Sequence, residues 1–469
     1  MARGFHPKIL VNFLGPPRPL SVSGFVGLKI ALKRVLQNAK RLGFRCPNIF
    51  VLSRLAIFGW EKFKFFVIGT RMQFASAFST NPDFRIAIDE ACGAVMDTID
   101  ASIDIAFVFF SCEYLTDDTA TGLSIEAAAE ELVNRLGTDQ VIGCSGESIV
   151  ANQYELQWQP SISIWVASLD SPQLDTCHLE FRSLGDDAAF EGWEQGLTGT
   201  WADDSVVFTV ADPFSFPMDV FLQRMNEDRS GVPVMGGIAS GATQPGEARL
   251  ILGTRVFDRG AVLVRMDGSF DVDCVVSQGC RPIGHPFVIT KAQRNEIYEL
   301  GGRSALSQLH AILQSLPTHE KQAVNQGLQI GRVISEYIDR PKQGDFLIRN
   351  LLQIDEATGM IAIAEYVRLG QTVQFQIRDQ DSAHAELKFL LSDAVSKAAF
   401  PHQAALMFNC NGRGTRMFSG AHHDSGLLRE VVGSIPTAGF FAAGEIGPVS
   451  EENFLHGFTS SIALFRESK

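Results

Sequence analysis

VIGCSGESIV, residues 141–150, sets a cysteine and a serine side by side between two glycines, with apolar residues on both flanks. Glycines at this spacing suit a nucleophile elbow, a phosphate cradle or a tight turn, and the quartet Gly143-Cys144-Ser145-Gly146 alone does not separate them. Its setting is more informative. Ahead of it stand an apolar strand, IDIAFVFFS (103–111), and a run of good helix formers closed by a glycine, GLSIEAAAEELVNRLG (122–137). Behind it, YELQWQP and SISIWVASL read as strands.

The setting recurs twice. SVVFTVADPFSF (205–216), PMDVFLQRMN, GVPVMGGIASG (231–241), ARLILGTRVF and GAVLVRM repeat it as strand, short helix, Gly-rich turn and strands. AALMFNCNGRG (404–414), DSGLLREVVGSI, TAGFFAAGEIGPV (437–449) and FTSSIALF (458–465) repeat it again. Matching Gly143, Gly236 and Gly444 gives one unit used three times, which predicts repeated supersecondary pieces around a shared core. The fold class is therefore α/β: a two-domain, mixed-sheet architecture of repeated strand–helix–Gly-turn–strand units. Gly284 and Pro286 punctuate a boundary, so the expected domains are 72–285 and 286–469. The second also holds a hairpin turning at 356–359 and a helix over 382–399.

Residues 1–71 differ from the rest. Of the 40 Lys/Arg, thirteen lie there; of the 53 Asp/Glu, only Glu61 does, so the remainder carries a net charge of −25. This segment reads as a basic leader, disordered or foreign to the native fold, and it contains no apolar run long enough to span a membrane. So acidic a body does not favour nucleic acid or an anionic membrane surface as partner. The eight cysteines show no CxxC and no zinc spacing, which points to a reducing, cytoplasmic setting.

The chemical alternatives weaken in turn. An elbow needs glycine where Glu147 stands and a helix where a strand follows. Walker A is absent, and GGIASG and CNGRG lack GxGxxG spacing. His422, His423 and Asp424 look inviting for a metal, but adjacent histidines diverge, and a solvated loop is the plainer reading. What remains is a small-molecule cleft at the strand ends, with Ser145, Ser240, Asn411, Arg413 and Glu445 as its polar groups. An arginine fork beside a carboxylate matches the two charges of an amino acid, although Arg413 and Glu445 could equally pair with each other.

The stretches VIGCSGESIV, VADPFSF, PVMGGIASG, GCRPIGHPFVITKAQRNEIYELGGRSAL, FNCNGRG and GFFAAGEIGPV…FLHGFTSSIALF resemble the FIST family, in the family's order over about residues 100–466. The resemblance implies FIST N-terminal and C-terminal domains in a bacterial sensory protein of signal transduction. It implies a small ligand, with an amino acid as one candidate, and a separate signalling protein as partner, since no output domain is attached. The implied ligand-binding residues are Gly143, Cys144, Ser145, Gly146, Gly236, Gly237, Ser240, Cys410, Gly412, Arg413, Gly414, Gly444 and Glu445, to which the polar-group reading adds Asn411. No catalytic residue, metal ligand or cofactor is implied. The alternatives are a cysteine-dependent enzyme using Cys410 or Cys144, and a ligand-independent interaction scaffold.

Overall fold

The computed structural model describes residues 72–115, 123–184, 187–202 and 204–468; the expected basic leader lies outside them. The first unit runs β1 (Gln73–Ser79), α1 (Phe84–Met96), β2 (Ile105–Ser111), α2 (Ile125–Leu136), β3 (Val141–Gly146), β4 (Ser148–Ala151), β5 (Tyr154–Gln157) and β6 (Ile162–Ser168). The second runs β7 (Gln173–Leu184), β8 (Asp187–Glu191), α3 (Gln195–Thr198), β9 (Val206–Ala211), α4 (Met218–Asp228), β10 (Val234–Ile238), β11 (Leu250–Leu252), β12 (Arg255–Phe257) and β13 (Ala261–Asp267).

The third unit opens with β14 (Phe270–Ser277) and is then interrupted. The interruption holds β15 (Cys280–Pro282), β16 (Phe287–Gln293), β17 (Glu296–Leu300), β18 (Arg303–Ser304), α5 (Ala305–Ser315), α6 (Thr318–Gly327), β19 (Leu328–Val333), β20 (Phe346–Asp355), β21 (Met360–Ile363) and β22 (Thr372–Arg378). The unit resumes with α7 (Gln380–Lys397), β23 (Ala404–Cys410), α8 (His423–Val431), β24 (Thr437–Ala442), β25 (Gly444–Val449), β26 (Glu452–His456) and β27 (Ser460–Glu467).

Each unit builds one mixed sheet, and the three sheets share a pattern. In each, a strand pairs parallel with the strand after its helix: β2 with β3, β9 with β10, β23 with β24. On the other side it pairs antiparallel with the returning strand, β6, β13 or β27. The hairpin that follows each parallel pair leaves its own sheet. β4 adds to β24, β11 to β3, and β25 to β10, so each unit lends a hairpin to another in a closed cycle. Sheets therefore join strands from both sides of residue 285.

Local sequence explains the helices. Asp83 and Ser124 accept from the backbone N–H groups of Ile86 and Ala127 and cap α1 and α2. Gly137, left-handed at φ 68°, closes α2. The helices cover the outer faces. The inner faces meet in one apolar core that includes Phe107, Phe109, Trp165, Phe208, Phe408, Phe440 and Phe465. Burying each of these rings contributes about 1.5–3 kcal/mol.

The Gly-rich segments are strands more than turns. Gly143, Cys144, Ser145 and Gly146 all lie in buried β3, and Gly236 and Gly237 lie in β10. The reason is a close approach that recurs at one register position. A Cβ on Gly143 would stand 1.9 Å from the Val108 carbonyl oxygen. On Gly236 it would stand 1.8 Å from Thr209 O, and on Gly439 1.7 Å from Met407 O. Gly439, rather than Gly444, is thus the third counterpart; Gly444 opens the lent hairpin.

The interruption is a barrel. β22 pairs with β16 along one edge and with β19 along the other, and the path β16-β17-β21-β20-β19 closes the ring. Its interior packs Ile289, Ile297, Phe375 and Ile377 against Leu309 and Ile312 of α5. The last residue of β22, Arg378, delivers the chain back to the three-unit body at α7.

Candidate functional site

The three equivalent strand ends carry Ser111, Asp212 and Cys410. Each donates its backbone N–H to the residue just before the returning strand: Ser161 O, Gly260 O and Thr459 O. Close by, the exits of β3, β10 and β24 are tied together. Ser240 Oγ accepts from Glu147 N–H at 2.8 Å and donates to the Phe441 carbonyl. Ser145 Oγ accepts from Arg249 N–H at 3.0 Å, and Ala443 N–H donates to Ile238 O at 3.0 Å.

At the third strand end the loop Asn411–Gly414 wraps around a buried ion pair. Arg413 donates from Nε and Nη2 to the two oxygens of Asp424, at 2.6 and 2.8 Å, and neither side chain is exposed at all. Burial alone would lower the Arg413 pKa, and the Asp424 carboxylate more than offsets it. Burial would likewise raise Asp424, but the guanidinium holds its carboxyl down at about 2.

Asp424 is in place because α8 begins beneath it. The Glu155 carboxylate, from β5, accepts from the N–H groups of Asp424 and Ser425, filling the role of an N-cap at the positive end of the helix. Burial, then the neighbouring Asp424 charge, raises Glu155 to about 7. His423 stacks on Phe418 at 3.5 Å and meets His384 at 3.0 Å. The His422-His423-Asp424 run is therefore a packed helix start and not the solvated loop expected of it. Among the described residues no cluster of His, Cys, Asp or Glu is arranged to hold a metal ion.

Glu445 lies near the same loop, fully buried in β25. One oxygen accepts from Thr459 N–H at 2.9 Å; the other, Oε1, has no hydrogen-bond partner among the described residues. Burial pushes its pKa up to about 8, against the pull of the Thr459 N–H, the Cys410 thiol and the Arg413 charge. Cys410 is itself raised to about 12, by burial first and then by Glu445. Asn411 has a shielded Oδ1 that is likewise unpartnered among the described residues.

The barrel contributes Arg378. Its guanidinium carbon sits 3.7 Å from the centre of the Phe458 ring, and its shielded Nη1 has no hydrogen-bond partner among the described residues. Nη1 lies against the loop, 3.0 Å from where a Cβ on Gly412 would be. Phe458, a bulky residue in the left-handed region at φ 62°, gives its carbonyl to Arg413 Nη1 at 3.2 Å. Strained backbone of this kind concentrates at functional sites. Above the loop, Arg416 grips Glu147 through 2.9 and 2.6 Å bonds.

The structure thus gathers Cys410, Asn411, Gly412, Arg413, Gly414 and Glu445 at one strand end. Ser145, Ser240 and Gly444 fall among the neighbouring exits, where Glu147 and Arg416 bridge the two groups. Cys144 packs into the apolar core between the three sheets, and Gly143, Gly236 and Gly237 lie within the strands β3 and β10 that enclose it. Cys144 is wholly buried with its thiol pKa raised well above the usual value. Sequence reading missed Arg378, Phe458 and Glu155. Only Glu155, a lone acid in the alternating strand YELQ, carried any local signal.

Two family models match the chain: the FIST N domain at residues 104–303 and the FIST C domain at residues 305–448. The chain belongs to the FIST family. FIST domains are generally thought to be sensory domains in signal transduction. Relatives of this FIST protein include an uncharacterized protein of Mycobacterium tuberculosis strain H37Rv, 40% identical over 395 residues, which are 84% of this chain and 100% of the relative. An uncharacterized protein of Mycobacterium bovis is 39% identical over 386 residues, 82% of this chain and 97% of the relative. Among solved structures, cyanuric acid hydrolase from A. caulinodans aligns with 85% of this chain and 100% of its own at 9% identity. Its TM-score of 0.26 is too low to bear on activity. Among the described residues no helix is long and apolar enough to cross a membrane.

Proposed function

We propose that this FIST protein is a cytoplasmic small-molecule sensor that passes its signal through a separate protein partner. Its ligand sits at the third strand end, against Asn411, Gly412 and Glu445, with Cys410 beneath and the Ser145 and Ser240 exits beside it. Arg413 acts from behind: its fork is committed to Asp424, so it positions the loop. The observation that supports this reading is the set of three shielded, unpartnered polar atoms near one loop, Glu445 Oε1, Asn411 Oδ1 and Arg378 Nη1. Buried polar groups are normally satisfied, and orphans grouped together are what a bound molecule would complete. The seven free cysteines among the described residues suit a reducing compartment.

An amino acid is one candidate ligand. The test is thermal denaturation of the full chain against a panel of metabolites. A ligand present at a hundred times its Kd adds about 2.7 kcal/mol of stability, a readable shift. Stabilisation by at least one class of small molecule is expected. A panel of amino acids, organic acids, amines and amides that leaves the transition unmoved would overturn the reading.

A further inference from the structure

The charges around the loop do not suit an amino acid equally well at both ends. Three arginines approach it, and two are neutralised, Arg416 by Glu147 and Arg413 by Asp424. Arg413 has both oxygens of Asp424. Arg378 forms no salt bridge among the described residues, and its Nη1 is turned away from water against Gly412. Burial lowers the Arg378 pKa, with the like charge of Arg413 acting in the same direction. A guanidinium in that position lacks the partner that makes burial tolerable.

The acids nearby are differently occupied. Asp424 is shared between Arg413 and His423. Glu386, from α7, receives Ser277 Oγ at 2.9 Å and Gly279 N–H at 2.6 Å. Glu445 keeps one free oxygen, but its carboxyl is held toward the protonated form by burial. A ligand ammonium would therefore meet the paired Asp424 carboxylate and the Glu155, Glu386 and Glu445 carboxyls, each pushed by burial toward its neutral form, whereas a ligand carboxylate would meet a waiting guanidinium. The Phe458 face beneath Arg378 fixes the plane of that guanidinium, as aromatic stacking does at carboxylate-binding arginines.

We infer that the ligand is a small organic acid without a charged amine, held by its carboxylate on Arg378 beside Glu445, with Asn411 Oδ1 accepting from a hydroxyl of the acid where one is present. The inference rests on the sensor reading above and specifies its ligand class. Arg378 comes from the barrel, so the insertion supplies the anchor and the three-unit body supplies the rest of the site.

The test measures binding of propionate, lactate, alanine, ethylamine and propionamide to the full chain by calorimetry, with Arg378→Gln and Arg378→Lys alongside. Propionate or lactate is expected to bind at least tenfold more tightly than alanine, ethylamine or propionamide. Arg378→Gln should weaken the acid at least tenfold, and Arg378→Lys should recover part of the loss. Unliganded melting temperatures of both variants control for folding. Tighter binding of alanine or ethylamine, or acid binding within twofold of normal in Arg378→Gln, overturns the inference while the sensor reading stands. If no compound in this set binds but another metabolite of the wider panel does, the inference again fails alone; if none of either set binds, both fail.

Discussion

Arg413 and Asp424, eleven residues apart, form a two-bonded ion pair from which water is wholly excluded. It fastens the loop after β23 to the first turn of α8 and so fixes where Asn411 and Gly412 stand. Such a pair is costly to assemble but far more costly to halve. Asp424→Ala should lose about 3–5 kcal/mol, measured by urea denaturation. Replacing both partners, Arg413→Met with Asp424→Leu, should lose less than Asp424→Ala alone. A single variant milder than the double would show that the pair does not carry this role.

Glu445 sets a pH dependence. Its folded pKa, about 8, lies above the ordinary value of 4.5. The folded state therefore holds this proton more tightly than the unfolded chain does. The stabilising contribution is complete below about pH 4.5 and is lost as pH climbs through 8. Glu155, raised to about 7, acts in the same direction. Stability should fall by a few kcal/mol between pH 5 and pH 9. Glu445→Gln should flatten the upper part of that profile; an unaltered slope in the variant would exclude Glu445 as its source.

Close approach at the parallel pairs makes a third expectation. Gly439→Ala drives a methyl into the Met407 carbonyl and should cost roughly 3 kcal/mol or more. Gly420→Ala, with nothing within 4 Å of the new carbon, should be nearly silent. Comparable melting temperatures for the two would contradict the packing described.

The cysteines should be slow to react. Cys144, Cys177 and Cys410 are buried, and burial raises the pKa of each thiol. Iodoacetamide labelling of these three in the native protein, followed by peptide mass spectrometry, should run well below the rate of free cysteine and rise on denaturation. A Cys410 labelled faster than free cysteine at neutral pH would revive the nucleophile reading.

The lent hairpins bear on how the two halves fold. A fragment spanning 72–285 would leave β4 and β10 without their neighbours β24 and β25, and β14 without β27. It should show little cooperative unfolding alone and regain it when mixed with 286–469. A cooperative transition in the isolated fragment would show that the hairpin exchange is dispensable.

Much of the architecture was legible in local pattern. Alternation and apolar runs located β2, β9 and β23, and good helix formers closed by Gly137 located α2. The Gly-rich segments were harder, because glycine favours turns locally while here it is required by a strand lying almost on its neighbour. Hairpin exchange was out of reach: β25 pairs with β10 some two hundred positions away, and nothing within GEIGPV names that partner. The same limit hid the site. Arg413 and Glu445 were visible as chemistry, but Asp424 as the arginine's true counterpart, and Arg378 arriving from the barrel, depend on contacts made only in three dimensions.

Ser111, Asp212 and Cys410 occupy one architectural position three times over, and the barrel insertion brings Arg378 against the loop at the third. On the proposed ligand site, exchange of the insertion at 280–378 would replace the anchoring arginine while leaving the three-unit frame as it is.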